Sequence, residues 1–185
     1  MTTNLIALAA STRSDSVNRK LLELAVAAAR SHGAQVRILD YAVCDAEIYR
    51  NDDAQPFPSG AAYLRDALNA SDGIILASPE YNWSMPGSLK NLIDWLSIDP
   101  SKPFTGRTAL LLCASPSIRG GILGLHQLSL PLNHLGMYVY PQLVAIGDAK
   151  SQMTAQGLTN AKDATFMAHC IKDFVRYTTA LKIAA

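Results

Sequence analysis

Three short stretches of the sequence gather side chains suited to holding a small ligand. The first, Ala10-Ser11-Thr12-Arg13-Ser14-Asp15-Ser16-Val17-Asn18, places hydroxyls, an amide and one guanidinium between an apolar run and a helical pattern. Free backbone N–H groups and the positive end of a helix dipole favour an anion there. With the hydroxyls and Arg13 adding donors, a phosphate monoester is the ligand these residues suit best. The glycine fingerprint of a dinucleotide-binding turn and the GxxxxGK[ST] pattern of a P-loop are both absent. The competing role for Ser16 or Asn18 is that of a plain helix cap.

The second stretch, Ser78-Pro79-Glu80-Tyr81-Asn82-Trp83-Ser84-Met85-Pro86-Gly87, combines aromatics, an amide and prolines into a stiff turn. Such a turn suits a flat heteroaromatic ligand, the competing role for Tyr81 and Trp83 being core or interface packing. Just beyond it, Leu92, Trp95 and Leu96 share helical spacing and read as core or subunit contact. Lys90, Asn91 and Asp94 lie one turn apart, where they would bond locally or cap the loop. The third stretch, Ala114-Ser115-Pro116-Ser117-Ile118-Arg119-Gly120-Gly121, ends in adjacent glycines that allow close backbone approach to a ligand. An ordinary loop leading into a helix is equally compatible with it.

Other chemistries find no support. His32, His126, His134 and His169 are scattered, with no HExxH pair, so no metal site is expected. There is no GxSxG nucleophile elbow. Cys44, Cys113 and Cys170 are odd in number and form no CxxC pair, which excludes a disulfide framework and fits a reducing, cytoplasmic setting.

All three stretches sit where a strand passes into a helix. Apolar runs at residues 5–9, 73–77 and 108–113 read as buried strands, residues 35–40 as a strand toward a sheet edge, and residues 137–146 contain a fifth strand interrupted by Pro141. Helical patterns cover about 17–32, 61–70, 87–97, 121–135 and 159–182, with Pro86 placed at a helix start. Residues 45–60 are polar, carry two prolines and read as a loop. Continuous apolar strands alternating with amphipathic helices predict a flavodoxin-like α/β fold. Its form would be a five-stranded, doubly wound parallel sheet between two helical layers. Ligands then bind outside the carboxyl ends of the strands, where the three stretches lie.

The chain's 185 residues are expected to form a single domain spanning 1–185. Sixteen basic and 15 acidic residues leave a formal charge of +1, so no global pull toward nucleic acid or anionic membrane is expected. No apolar run approaches the roughly 18 residues needed to cross a bilayer, and the start lacks the basic region of a signal peptide.

The same three stretches resemble the NAD(P)H-dependent FMN reductase family, which includes quinone, chromate and azo-dye reductases. The family pattern G-S-x-R-x-x-S-x-N is met by Ser11, Arg13, Ser16 and Asn18, with Ala10 in place of the glycine. The signature PEYNxSxPGxLKNxxDW is met at every defined position from Pro79 to Trp95. Ser115, Gly120 and Gly121 match S-x-G-x-x-G-G, with Ser117 replacing the first glycine.

The resemblance implies that Ser11, Arg13, Ser16, Val17 and Asn18 bind the phosphate and ribityl end of FMN. Pro79, Glu80, Tyr81 and Asn82 would wrap the isoalloxazine, with Trp83 and Ser84 close by, while Ser115, Gly120 and Gly121 approach its pyrimidine side. It implies NAD(P)H as co-substrate and ping-pong transfer through the flavin to a small-molecule acceptor (a flavin, quinone, azo compound or metal oxyanion), with no catalytic side chain assigned. A homodimer or homotetramer is implied too, with the helix around Leu89 and Leu96 as a contact surface. The alternative from another class is a flavodoxin-type FMN electron carrier. Such carriers dock through a strongly acidic face, of which a +1 chain gives no sign.

Overall fold

The computed structural model describes residues 2–52, 54–154 and 157–184. Five parallel strand positions form its sheet: β1 (Asn4–Ala9), β2 (Gln35–Ile38), β3 (Gly73–Ala77), β4 (Thr108–Ala114) and a split fifth position. The order is β2-β1-β3-β4, with the fifth position outside β4. β1, β3 and β4 are buried along almost their whole length. That burial on both faces is why their sequences run continuously apolar rather than alternating.

Helices α1 (Val17–Ser31), α2 (Ser59–Asn69), α3 (Gly87–Ser97) and α4 (Ile122–His134) follow the first four strands. The strand pleat sends alternate residues to opposite faces. Leu5, Ala7, Ile75, Leu110 and Leu112 join the core beneath α1 and the last helix, α6 (Ala161–Ala184). Ile6, Leu8, Ile74, Leu76 and Leu111 join the core beneath α2, α3 and α4. The chain moves outward from β1 to β2 and then jumps back past β1 to β3. Strand order therefore reverses between β1 and β3, and their carboxyl ends diverge into a crevice.

Several expectations are refined. The fifth strand is two short pieces, β5 (Tyr138–Val139) and β6 (Val144–Ile146), pairing with opposite ends of β4. Its register slips by two residues, from Thr108↔Tyr138 to Leu112↔Val144, across the segment that holds Pro141. Residues beyond β6 form a short helix α5 (Ala149–Gln152) and a two-residue pair, β7 (Met153–Thr154) with β8 (Gly157–Leu158). A 3-10 turn at Tyr41–Cys44 precedes the loop predicted at 45–60.

The apolar residues of α3 expected at a contact surface, Leu89, Leu92, Ile93, Trp95 and Leu96, are all buried within the chain's own core, so a contact along this helix would have to use its opposite, exposed face. Trp95 instead donates its indole N–H to the Glu47 carbonyl at 2.6 Å and meets Tyr49 and Phe57 edge-on. Asn91 accepts the Tyr49 N–H at 2.8 Å and donates to the carbonyls of Ala46 and Glu47. The long loop before α2 is thereby clamped onto α3, while Lys90 and Asp94 bond each other at 2.6 Å.

Candidate functional site

A cleft of about 390 Å³ opens at the carboxyl ends of β1, β3 and β4, lined by all three ligand-suited loops. That volume is within the range of small-molecule sites, roughly 300–1,000 Å³. Ser11, Arg13, Ser16, Val17, Asn18, Pro79, Glu80, Tyr81 and Ser115 line it; Asn82, Trp83, Ser84, Gly120 and Gly121 do not.

The first loop forms the floor. Ala10 N–H donates to the Ala77 carbonyl at 2.8 Å, pinning the end of β1 to the end of β3. Ser16 is the α1 N-cap and accepts the Arg19 N–H at 3.3 Å. The N–H groups of the first helical turn, Val17 and Asn18, have no intrahelical partner and point toward the cleft end of the helix. Asn18 does something the sequence does not suggest. Buried to 3% exposure, its amide donates to the Ala114 carbonyl at 3.0 Å and accepts the Ala114 N–H at 2.9 Å. It closes a two-bond bridge between the start of α1 and the end of β4, so its side chain serves as a strut between the two loops. Arg13 pairs with Asp15 through two parallel bonds of 3.0 and 2.9 Å, both side chains about 70% exposed.

The second loop is a two-residue turn. Tyr81 and Ser84 exchange N–H···O bonds of 2.8 and 3.0 Å, and Asn82 and Trp83 between them have φ of 51° and 66°. This is the I′ geometry, which asparagine tolerates and tryptophan adopts at a cost of about 1–2 kcal/mol. The Trp83 ring, 64% exposed, lies beneath the Arg119 guanidinium at 5.8 Å, a cation–π contact joining the second loop to the third. Glu80 turns its carboxylate onto the Gly124 N–H at 2.7 Å, in the first turn of α4, where a negative charge meets the positive helix end.

The third loop packs back onto the sheet, which gives its glycines a packing reason of their own. A Cβ on Gly120 would sit 2.6 Å from the Ala145 carbonyl carbon, and one on Gly121 2.3 Å from Cys113 Sγ. Both residues hold positive φ, 64° and 81°, and neither lines the cleft. They are glycines because β6 and Cys113 lie against them. Ser115 does reach the cleft, held by its N–H to the Ile146 carbonyl at 3.0 Å.

Lys20 on α1 and Lys150 and Met153 beyond β6 also line the cleft and were not singled out from the sequence. The loop after β6 is a carboxyl-end loop like the other three, and a cation placed in it was the available signal. Among the described residues no three His, Cys, Asp or Glu side chains converge as a metal site. No helix among them is long and apolar enough to cross a membrane.

All three cysteines are buried, and burial pushes the Cys113 thiol up to about 12 and those of Cys44 and Cys170 up to about 11. Thiolates are the reactive form, so none is poised as a nucleophile. The native protein is expected to leave an aromatic disulfide reagent unreacted at pH 8 and to consume it fully once denatured; prompt native labelling would contradict this. The raised values also make the thiols a source of alkaline instability. Their contribution is complete below the ordinary value of 9.0 and is lost as pH rises toward 11–12.

The model of the NADPH-dependent FMN reductase family matches residues 3–151. An NAD(P)H-dependent FMN reductase of Pseudomonas aeruginosa is 32% identical over 154 residues, 82% of each chain. Quinone reductase of Escherichia coli is 37% identical over 84 residues, 45% of this chain; that match spans only 43% of the relative's length. Among solved structures, the flavoenzyme NAD(P)H:(acceptor) oxidoreductase FerB of Paracoccus denitrificans superposes with a TM-score of 0.81. It shares 26% identity over 97% of this chain and 98% of its own. A match over most of the length, falling on the loops that build the cleft, leaves one assignment: the chain belongs to the NADPH-dependent FMN reductase family.

Proposed function

We propose that the protein is an NAD(P)H-dependent flavin oxidoreductase that uses FMN to reduce small acceptors such as flavins, quinones, azo compounds or metal oxyanions. The observation that carries this reading is the cleft at the β1/β3 reversal. It sets an anion-accepting helix start beside the Pro79-Glu80-Tyr81 segment. The residues present fit FMN. At one end stand Ser11, Ser16, the free N–H groups of Val17 and Asn18, and the cations Arg13, Lys20 and Lys150, a donor set for a phosphate. At the other, the Tyr81 ring and the Pro79–Glu80 backbone offer a flat wall and peptide groups for a ring system.

In this reading Ser11, Arg13, Ser16 and Val17 hold the phosphate, joined by Lys20 and Lys150. Asn18 keeps the third loop at the right distance through Ala114. Pro79, Glu80, Tyr81 and Asn82 bound the ring, Trp83 and Ser84 fix the turn, and Ser115 borders the ring's far edge. Gly120 and Gly121 seat the third loop. FMN, when bound, supplies the redox chemistry by taking a hydride from reduced nicotinamide and giving two electrons to a second substrate. The side chains bind, orient and exclude, which agrees with the inert thiols. We further propose that the chain works as a single flavin-binding domain over residues 1–185, in the cytoplasm, as a homodimer or homotetramer.

The test is the visible spectrum of protein reconstituted with FMN, followed during anaerobic addition of NADPH and then NADH. Prompt bleaching of bound flavin is the expected result. Flavin that binds but stays oxidised with both would point to an electron carrier, and no binding would refute the site.

A further inference from the structure

Arg13 and Asp15 both line the cleft at the amino end of α1, where the proposed function places the phosphate. Their two parallel bonds use the Nε and Nη2 edge of the guanidinium, the edge whose geometry also matches two oxygens of a phosphate. The same donors cannot serve both. Besides Arg13, the Asp15 carboxylate meets its own backbone N–H and the charge of Lys20, and Ser16 rather than Asp15 caps the helix. Among the described residues no other side chain is held by a hydrogen bond to the carboxylate. Both side chains are about 70% exposed, so the pair is loose enough to open. The first turn of α1 carries no acidic residue, which leaves Asp15 as the carboxylate set against the positive helix end.

We propose that Asp15 is a built-in competitor for the phosphate: it occupies the Arg13 fork when the cleft is empty and weakens FMN binding, so that the flavin exchanges rather than being held permanently. Binding then requires Arg13 to change partners, and release is assisted by Asp15 taking the fork back. Hydrogen bonds from Arg13 hold the Asp15 carboxyl below its usual range, so the competitor stays ionised throughout the neutral region. The effect is electrostatic and exposed, so it weakens as salt rises and the Debye length falls to about 8 Å at 0.15 M.

This inference rests on the FMN reading, and its test separates the two. FMN and riboflavin binding are measured by quenching of flavin fluorescence in the wild type, Asp15→Asn, Arg13→Ala and the double variant, at low and moderate salt. Asp15→Asn is nearly isosteric and leaves the Ser16 cap in place. It is expected to bind FMN about 3- to 10-fold more tightly at low salt, with the gain shrinking as salt rises and riboflavin, which lacks the phosphate, unchanged. In the Arg13→Ala background the same substitution is expected to give little gain, as coupled residues do in a double-mutant cycle. Unchanged or weaker FMN binding by Asp15→Asn overturns the competition. So does an equal gain without Arg13, because the carboxylate would then act on the phosphate directly. A wild type that binds neither flavin refutes the FMN site itself.

Discussion

Replacing Asn18 with leucine is expected to lower the unfolding free energy by about 2–5 kcal/mol, because it strands the buried N–H and carbonyl of Ala114, each costing about 1–3 kcal/mol when unpaired. The side chain is one of the few buried polar groups among the described residues, and its two bonds of 2.9 and 3.0 Å both go to that residue. For a chain of this length the loss corresponds to a fall in Tm of roughly 5–15 °C. A second effect follows at the cleft. Once the first and third loops are no longer spaced by the strut, FMN affinity is expected to fall as well. Urea unfolding gives the stability and fluorescence titration the affinity. An unchanged urea midpoint would show that water replaces both bonds.

Gly120→Ala carries the second large effect. The new methyl would stand 2.6 Å from the Ala145 carbonyl carbon and 2.8 Å from the Ile146 nitrogen, both backbone atoms that cannot rotate away. The residue also holds φ of 64°. Left-handed strain and overpacking together are expected to cost about 2–4 kcal/mol. Gly106→Ala separates the two contributions. It shares the left-handed backbone, with φ of 77°, but a Cβ there meets nothing within 4 Å, so only the conformational cost of about 1–2 kcal/mol remains. Equal losses at the two positions would show that the third loop shifts to accommodate the methyl.

What was legible in the sequence follows from range. The runs that became β1, β3 and β4 were readable because burial on both faces leaves no polar residue to break them. Pro141 announced an interruption, though not that β5 and β6 would each find β4 with a slipped register. The four-residue helix α5 and the two-residue strands after it are too short to show any period, so nothing in that stretch marked Lys150 and Met153 as the residues that reach the cleft. In the site, the loops were found by composition and their contents by type, but partnerships were not. Asn18 looked like a cap or a ligand because its true partner, Ala114, is 96 residues away. That Gly120 and Gly121 also make room for Ala145 and Cys113 was hidden, because these are not their neighbours in sequence. Arg13 was visible as a cation; that its fork is already engaged by Asp15 depends on a rotamer that no spacing encodes.

The divided outer strand has a consequence for how copies of the chain can meet. An open sheet edge is a template for another strand, and proteins that leave one long and regular invite aggregation. Here one edge is β5 and β6, two short pieces out of register with each other, with Pro141 lacking a donor between them. The opposite edge, β2, is four residues long and carries Arg37 outward over the Tyr63 ring. Neither border offers a continuous ladder for β-augmentation. Strand addition at either border of the sheet is therefore disfavoured.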